Sequence, residues 1–566
     1  MIPVPRQFYR LASFGLVPFF ILLLVRNDLN QVGSVDPYFY TALSIDYVDM
    51  VSRYSGYYYS TRLSHILPNA LATFALDEYA GYILVRYLQL IAATIATYAI
   101  ARHYTDEAVA WLVTIFFCSH VWLLRSLLWD YVDGSVVVYS LVGIALLLPR
   151  TNELWYHIGA GIAFSWAANG NPVGLIIPAA YTVTWLVERT DRPPLSKLKS
   201  IFACLMGITV GYSILMIAML IIDPRSGWTF EQVTFATIFS LLSGVASNWF
   251  VGIRDIFLIH GFYQPLALPF FTAASVVAIL YAEGAEGRRK AFGAFAFIAI
   301  TTGIFLAFHF VFKAGLLRYS FSLIYALPAS IVSAAALIGQ WRPASPRPVI
   351  LAGGIFLAVQ FALWSNADAL PSELSSHHAE IAVPLFILAF GGLAVLATMA
   401  RAMRRPMGFV SILLIVLFAS NSFFLRVDTA RIYGEPSWRQ TEWDVRNGAI
   451  YLQRFIMKRV APKDPIRFWY GTRDPYLNSI QSTHLWLSSR ASWPADAQMP
   501  VIDSAVRERI KQEARYVAIL GTEAEIEAAR AALEKAGLKT DSVARGSFKG
   551  RDWPGYDVLL LALQRG

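Results

Sequence analysis

Apolar runs of membrane-crossing length recur from near the N-terminus to about residue 425, and short basic stretches separate them. They lie near residues 11–25, 80–101, 108–124, 135–149, 154–168, 173–187, 200–222, 264–282, 292–312, 319–339, 348–364, 383–400 and 408–424, about 13 in all. A hydrocarbon core about 30 Å thick takes about 20 residues of helix, and lipid leaves no water to satisfy backbone polar groups. The pattern therefore predicts a polytopic α-helical membrane protein. Composition agrees: 56% of the 566 residues are hydrophobic, 15% are charged and the mean hydropathy is +0.50, where a soluble domain carries about 25% charged residues. The first run follows Arg6 and Arg10 as a signal peptide would, but no small-residue cleavage site follows it, so it is expected to stay as an uncleaved span.

Basic residues set the expected orientation. With the N-terminus in the cytoplasm, the inner connections hold clusters such as Arg189, Arg192, Lys197 and Lys199, or Arg288, Arg289 and Lys290, while the opposite side holds about half as many. An odd number of spans then leaves the residues after 425 outside, in a chain read as integral to the cytoplasmic (inner) membrane. The net charge of +9 arises in these short loops, so it needs no nucleic-acid partner, and no nucleic-acid motif is present. Cys118 and Cys204 sit inside apolar runs, which argues against a disulfide framework or a cysteine metal site.

Two outer loops, 26–79 and 223–263, mix aromatic, apolar and polar residues, as interfacial helices do. After residue 425 charged residues become frequent and apolar runs shorten to strand length: 466–470, 516–520 and 558–563 read as buried strands. Thr522 precedes a helix over 523–535 that stops at Gly537. The expected organisation is a transmembrane domain over 1–424 and an extracytoplasmic, periplasmic α/β domain over 425–566.

Chemistry is sought at the outer surface, where a carboxylate beside lipid is costly and marks a task. Asp36 lies soon after the first span; since Pro37 suits the first turn of a helix, Asp36 also suits its N-cap. Asp130 and Asp133 lie in Trp129-Asp130-Tyr131-Val132-Asp133-Gly134 where the fourth span opens, with capping again the structural alternative for one of them. Arg62, Lys313 and Arg318 fall on the same side. Such cations either snorkel to lipid headgroups or clamp a phosphate, for which the guanidinium fork is suited. Carboxylates facing cations at a membrane surface suit a reaction in which a hydroxyl attacks and a lipid-linked phosphate leaves: a carboxylate takes the proton while the cations stabilise the leaving group. Glycosyl transfer from a polyprenyl-phosphate sugar makes this demand.

Over roughly residues 8–340 the chain resembles the GT-C class of integral membrane glycosyltransferases, in particular the protein O-mannosyltransferase-like and lipid A aminoarabinose transferase-like branch. The resemblance rests on Asp36, the Tyr58 to Leu63 segment, the Arg125 to Gly134 stretch, and Arg318-Tyr319 followed by an aliphatic run and Pro328. It implies that Asp36 is the catalytic base, that Arg62 contacts the donor phosphate, and that Asp130 or Asp133 shapes the catalytic site. Tyr58, Tyr59, Lys313, Arg318 and Tyr319 complete the candidate substrate-binding set. The expected partners are the polyprenyl-phosphate sugar, membrane lipids, and an acceptor in the cell envelope that is a glycan, lipid or protein. A monophosphate donor needs only Arg and Lys, whereas a diphosphate would favour a divalent cation, so no obligatory metal is expected. His377-His378 with Glu380 reads as a solvated loop rather than a metal site. The alternative class is a transporter or flippase of lipid-linked sugars, for which internal repeats and mid-membrane charges would be the signature.

Overall fold

The computed structural model describes residues 6–25, 58–76, 78–128, 132–148, 153–190, 192–222, 263–311, 324–339, 504–550 and 553–564, with separate positions between 40 and 47 and between 444 and 477 that include one strand. The chain divides into two compact units, Met1–Leu29 with Thr61–Tyr433 and Asn30–Ser60 with Gly434–Gly566.

The first unit is helical. Its elements are α1 (Arg6–Val25), α2 (Leu63–Ala75), α3 (Glu78–Tyr104), α4 (Glu107–Cys118), α5 (Val121–Leu128), α6 (Val132–Leu147), α7 (Leu154–Gly170), α8 (Ile176–Glu188), α9 (Pro194–Ile222), α10 (Tyr263–Tyr281), α11 (Gly284–Leu306) and α12 (Leu327–Ile338). Among the described residues three helices, Ala80–Tyr104, Pro194–Ile221 and Gly284–Val311, are long and apolar enough to cross a membrane, and shorter apolar helices accompany them. The 29 residues of α9 rise about 43 Å at 1.5 Å each, enough for the bilayer core. Its outer face carries Phe202 and Ile221, 69% and 76% exposed. Lipid, rather than water, is the solvent such a face fits.

One span departs from its expected course. The run at 108–124 is two helices, α4 and α5, because the chain turns at Ser119 and His120: the Ser119 hydroxyl bonds the carbonyls of Ile115 and Phe116, and the His120 amide bonds Phe117 O. A polar side chain offering the backbone a local partner ends a helix that hydropathy alone would continue. In the loop read at 26–79, α2 buries Leu63, His65 and Ile66 while Leu71 and Phe74 face outward, the two-sided helix expected at an interface. The spans read at 348–364, 383–400 and 408–424, the loop read at 223–263 except for Tyr263, and His377-His378 lie outside the described residues.

Close backbone packing joins α7 to α9. A Cβ added at Gly161 would stand 2.0 Å from Cys204 O, one at Gly207 2.1 Å from Ile158 O, and one at Gly211 2.0 Å from the Ser165 hydroxyl. Between helices in lipid no hydrophobic force operates, so small residues that let backbones touch supply the contact.

The helices give this unit two ends. Arg62, Asp133, Asn169 and Asn171 share one end through hydrogen bonds described below, while His103, Glu188 and Lys290 meet at the other.

In the second unit, β1 (Ile466–Tyr470), β2 (Tyr516–Gly521), β3 (Thr540–Phe548) and β4 (Tyr556–Leu563) form a sheet in the order β1-β2-β4-β3. β1 and β2 are parallel and the other pairings antiparallel. Alternate residues feed opposite faces: Ala518 and Leu520 join one apolar cluster, Val517 and Ile519 the other, which α13 (Ser504–Glu513) and α14 (Glu523–Lys535) cover with Ile510, Ile526 and Leu533. Thr522 forms a capping box with Glu525, its amide donating to Glu525 Oε2 at 2.8 Å, and Gly537 follows α14 with φ 71°. The strand β3 had no apolar signal in Thr540–Phe548; it is an edge strand that β4 holds by backbone pairing, with the charged Asp541 and Arg545 among its exposed positions. Tyr40 and Tyr47 are buried, and the Tyr47 hydroxyl donates to Ser60 O.

Candidate active site

Asp133 sits in the first turn of α6 and is 1% exposed. A buried carboxylate needs donors, because ionised oxygens lose several kcal/mol of hydration. Oδ1 of Asp133 accepts from Asn171 Nδ2 at 3.0 Å and from the Tyr325 hydroxyl. Asn171 is placed by its own turn: its Oδ1 accepts from the Val173 amide at 3.2 Å and caps the 3-10 turn Pro172–Leu175. Tyr325 comes from the turn just before α12. Asp133 is thus a tertiary tie between three helices, lying one residue inside α6 rather than before it.

Arg62 precedes α2 and is 4% exposed. Its carbonyl accepts from the amides of His65 and Ile66, so it opens the helix. Asn169, at the end of α7, clamps the backbone on both sides of it: Nδ2 donates to Thr61 O at 2.9 Å and Oδ1 accepts from the Ser64 amide at 2.8 Å. The Tyr139 hydroxyl donates to Ser64 O at 2.8 Å. Asn169 and Asn171, two residues apart, thus tie the backbone around Arg62 and the Asp133 carboxylate to the same turn. Two of the sequence candidates, one acidic and one basic, therefore stand in one buried polar cluster.

Below it the polar chain continues into the bundle. His65 Nδ1 meets Ser135 Oγ at 2.8 Å, Gln89 Nε2 donates to Ser135 Oγ at 2.8 Å, and Arg86 Nη1 donates to Gln89 Oε1 at 3.0 Å. Arg86 is 1% exposed and its guanidinium lies 4.9 Å from the Tyr82 ring centre. Sequence reasoning passed over Arg86 and Gln89, although a cation inside an apolar run was a usable signal. Asn169 stands at the end of α7 and Asn171 caps the turn that follows, and nothing in the sequence signals their tertiary bonds.

Asp36, Asp130, Lys313, Arg318 and Tyr319 lie outside the described residues. Tyr58 and Tyr59 stand in the 3-10 turn Tyr58–Thr61 immediately before Arg62, and only their backbone is described. Among the described residues no three His, Cys, Asp or Glu gather where they could hold a metal ion.

A buried carboxylate tied to a tyrosine and an asparagine, beside a buried guanidinium, sets a fixed field at one end of the bundle. Preorganised charge of this kind can stabilise charge that develops in a reaction with little reorganisation.

No family model and no curated protein matches the chain. Among solved structures it is similar to ArnT from Cupriavidus metallidurans bound to undecaprenyl phosphate, at 14% identity and a TM-score of 0.49 over 98% of each chain. It is also similar to the apo form of the Archaeoglobus fulgidus oligosaccharyltransferase, at 12% identity and a TM-score of 0.40, over 91% of this chain and 70% of that one. Both are GT-C glycosyltransferases, the class that the motifs of this chain resemble.

Proposed function

We propose that the protein is a multi-pass membrane glycosyltransferase that moves a sugar from a polyprenyl-phosphate donor to a hydroxyl of an extracytoplasmic acceptor in the cell envelope, be it glycan, glycolipid or protein. The observation that carries this reading is the buried cluster of Asp133, Tyr325 and Asn171 with Asn169 and Arg62 at one end of the helical bundle. In the proposed reaction Asp36 takes the proton of the acceptor hydroxyl, whose oxygen attacks the anomeric carbon. The bond from that carbon to the phosphate oxygen breaks, and the polyprenyl phosphate leaves with the electron pair. Arg62, Lys313 and Arg318 meet the charge growing on that phosphate. Asp133, held by two donors, organises the site and balances Arg62 rather than taking the proton itself. Residues 1–424 are read as the catalytic membrane domain with a cytoplasmic N-terminus, and 425–566 as an outer domain.

The test is transfer by purified protein in detergent, where no second compartment exists. Release of polyprenyl phosphate together with glycosylated acceptor supports the reading. Movement of lipid-linked sugar across proteoliposomes with no transfer in either setting would replace it with the transporter.

A further inference from the structure

An apolar groove of about 390 Å³ runs along α7, α8 and α9, from Ala168 and Leu175 near the Asp133 end to Leu147 and Trp185 toward the other, walled by side chains such as Phe164, Ile201, Leu205 and Ile208. Its volume lies in the range of ligand pockets, about 300–1,000 Å³. Leu147 and Trp185 line this groove and also a narrower opening at the helix ends, whose walls carry Arg189, Arg192, Arg289 and Lys290 against Glu188 and Glu286. The apolar trough and a mouth with four cations and two carboxylates thus share Leu147 and Trp185 as walls.

The carboxylates are engaged sideways. Glu188 accepts from the Tyr104 hydroxyl at 2.5 Å and faces His103 Nε2 at 3.4 Å, while Glu286 pairs with Lys290 at 3.3 Å. Arg189 is positioned by the structure: Nη2 donates to Leu147 O at 2.7 Å, and its guanidinium lies 5.1 Å from the Trp185 ring centre. Three guanidinium groups, Arg189, Arg192 and Arg289, therefore border a mouth that lies beside a carbon-lined groove.

We propose that this groove and mouth bind one anionic glycerophospholipid, with an acyl chain along α8 and α9 and the phosphate on the guanidinium groups. The charge balance selects the occupant. A zwitterionic headgroup would bring its own cation against the three arginines, whereas an anionic one presents only oxygens that the forks can bond in pairs. Basic pockets between membrane helices take anionic headgroups on the same physical grounds. The inference needs the bundle to lie in a bilayer; it does not depend on glycosyl transfer.

The experiment is native mass spectrometry of the full-length, delipidated protein with mixed micelles containing phosphatidylglycerol and phosphatidylcholine in equal amounts. One phosphatidylglycerol should be retained in about tenfold preference, and millimolar inorganic phosphate should not displace it. The double variant Arg192→Gln with Arg289→Gln should abolish the preference. Ala179→Trp, at an exposed position that lines the groove, should reduce retention of both lipids, and it tests the groove separately should the double variant fail to fold. Equal retention of the two lipids, undiminished retention by both variants, or displacement by phosphate or by polyprenyl phosphate would each overturn the assignment.

Discussion

The Tyr325 hydroxyl donates to Asp133 Oδ1 although the two residues lie 192 positions apart in the chain. The bond joins the start of α12 to the first turn of α6 at a carboxylate that is almost wholly buried. Removing one partner of such a pair costs more than the pair is worth, because the other is left desolvated. Tyr325→Phe should therefore destabilise the protein by about 1–3 kcal/mol, and Asp133→Asn should slow transfer more than it lowers the melting temperature. Equal melting temperatures for wild type and Tyr325→Phe would show that the bond contributes nothing.

Asp36 is assigned the proton, so Asp36→Asn should keep the fold and lower the transfer rate by about 100-fold or more. The comparison is made at saturating donor and acceptor, normalised to folded protein. Turnover near that of wild type would move the base elsewhere.

Arg62 is proposed to act on a phosphate whose charge grows as the sugar leaves, so its contact strengthens in the transition state. Arg62→Ala should lower kcat as well as weaken donor binding, and Arg62→Lys should recover only part of the loss, since an ammonium lacks the planar fork. If kcat per folded molecule is unchanged in both, the residue serves only to start α2.

Gly207 meets the backbone of Ile158 across the α7 and α9 contact, where an added Cβ would stand 2.1 Å from a carbonyl oxygen. Backbone cannot move aside as a flexible side chain can. Gly207→Val should separate the helices and cost about 1–3 kcal/mol or more, read as loss of thermal stability in detergent; Gly303→Val, with open space around it, is the matched control. Equal stability of the two variants would remove the close-packing argument.

The capping box of Thr522 and Glu525 should yield to Thr522→Ala, with a local loss of about 1 kcal/mol. Amide hydrogen exchange over the first turn of α14 should quicken by about fivefold, with β1 unaffected. Unchanged exchange there would mean that packing of Ile526, Ala529 and Leu533 alone holds the helix.

Much of this was legible in the sequence because the signals are local. Thr522, Glu525 and Gly537 mark the ends of α14 by backbone chemistry that needs no partner element, and β2 and β4 declare themselves as short apolar runs. β3 did not, since its hydrogen bonds to β4 leave no pattern in Thr540–Phe548 and only Ala544 and Phe548 pack against the apolar cluster. The break between α4 and α5 was hidden for a related reason: Ser119 and His120 scarcely lower the mean hydropathy of the run that contains them.

The sequence by itself determined that the chain is a series of apolar helices with basic connections, and that acidic and basic residues gather near a few helix ends. Hydropathy and length decide these properties within each segment. Only the tertiary structure decided that Arg62 is clamped by Asn169, that Asp133 receives Tyr325 and Asn171, and that a basic mouth at the other end lies beside an apolar groove. In lipid the faces of a helix that meet neighbours and those that meet acyl chains are both apolar, so the pattern along the chain does not say which helices touch. Small contacts such as Gly161 and Gly207 against backbone set that choice, and the polar cluster follows from it.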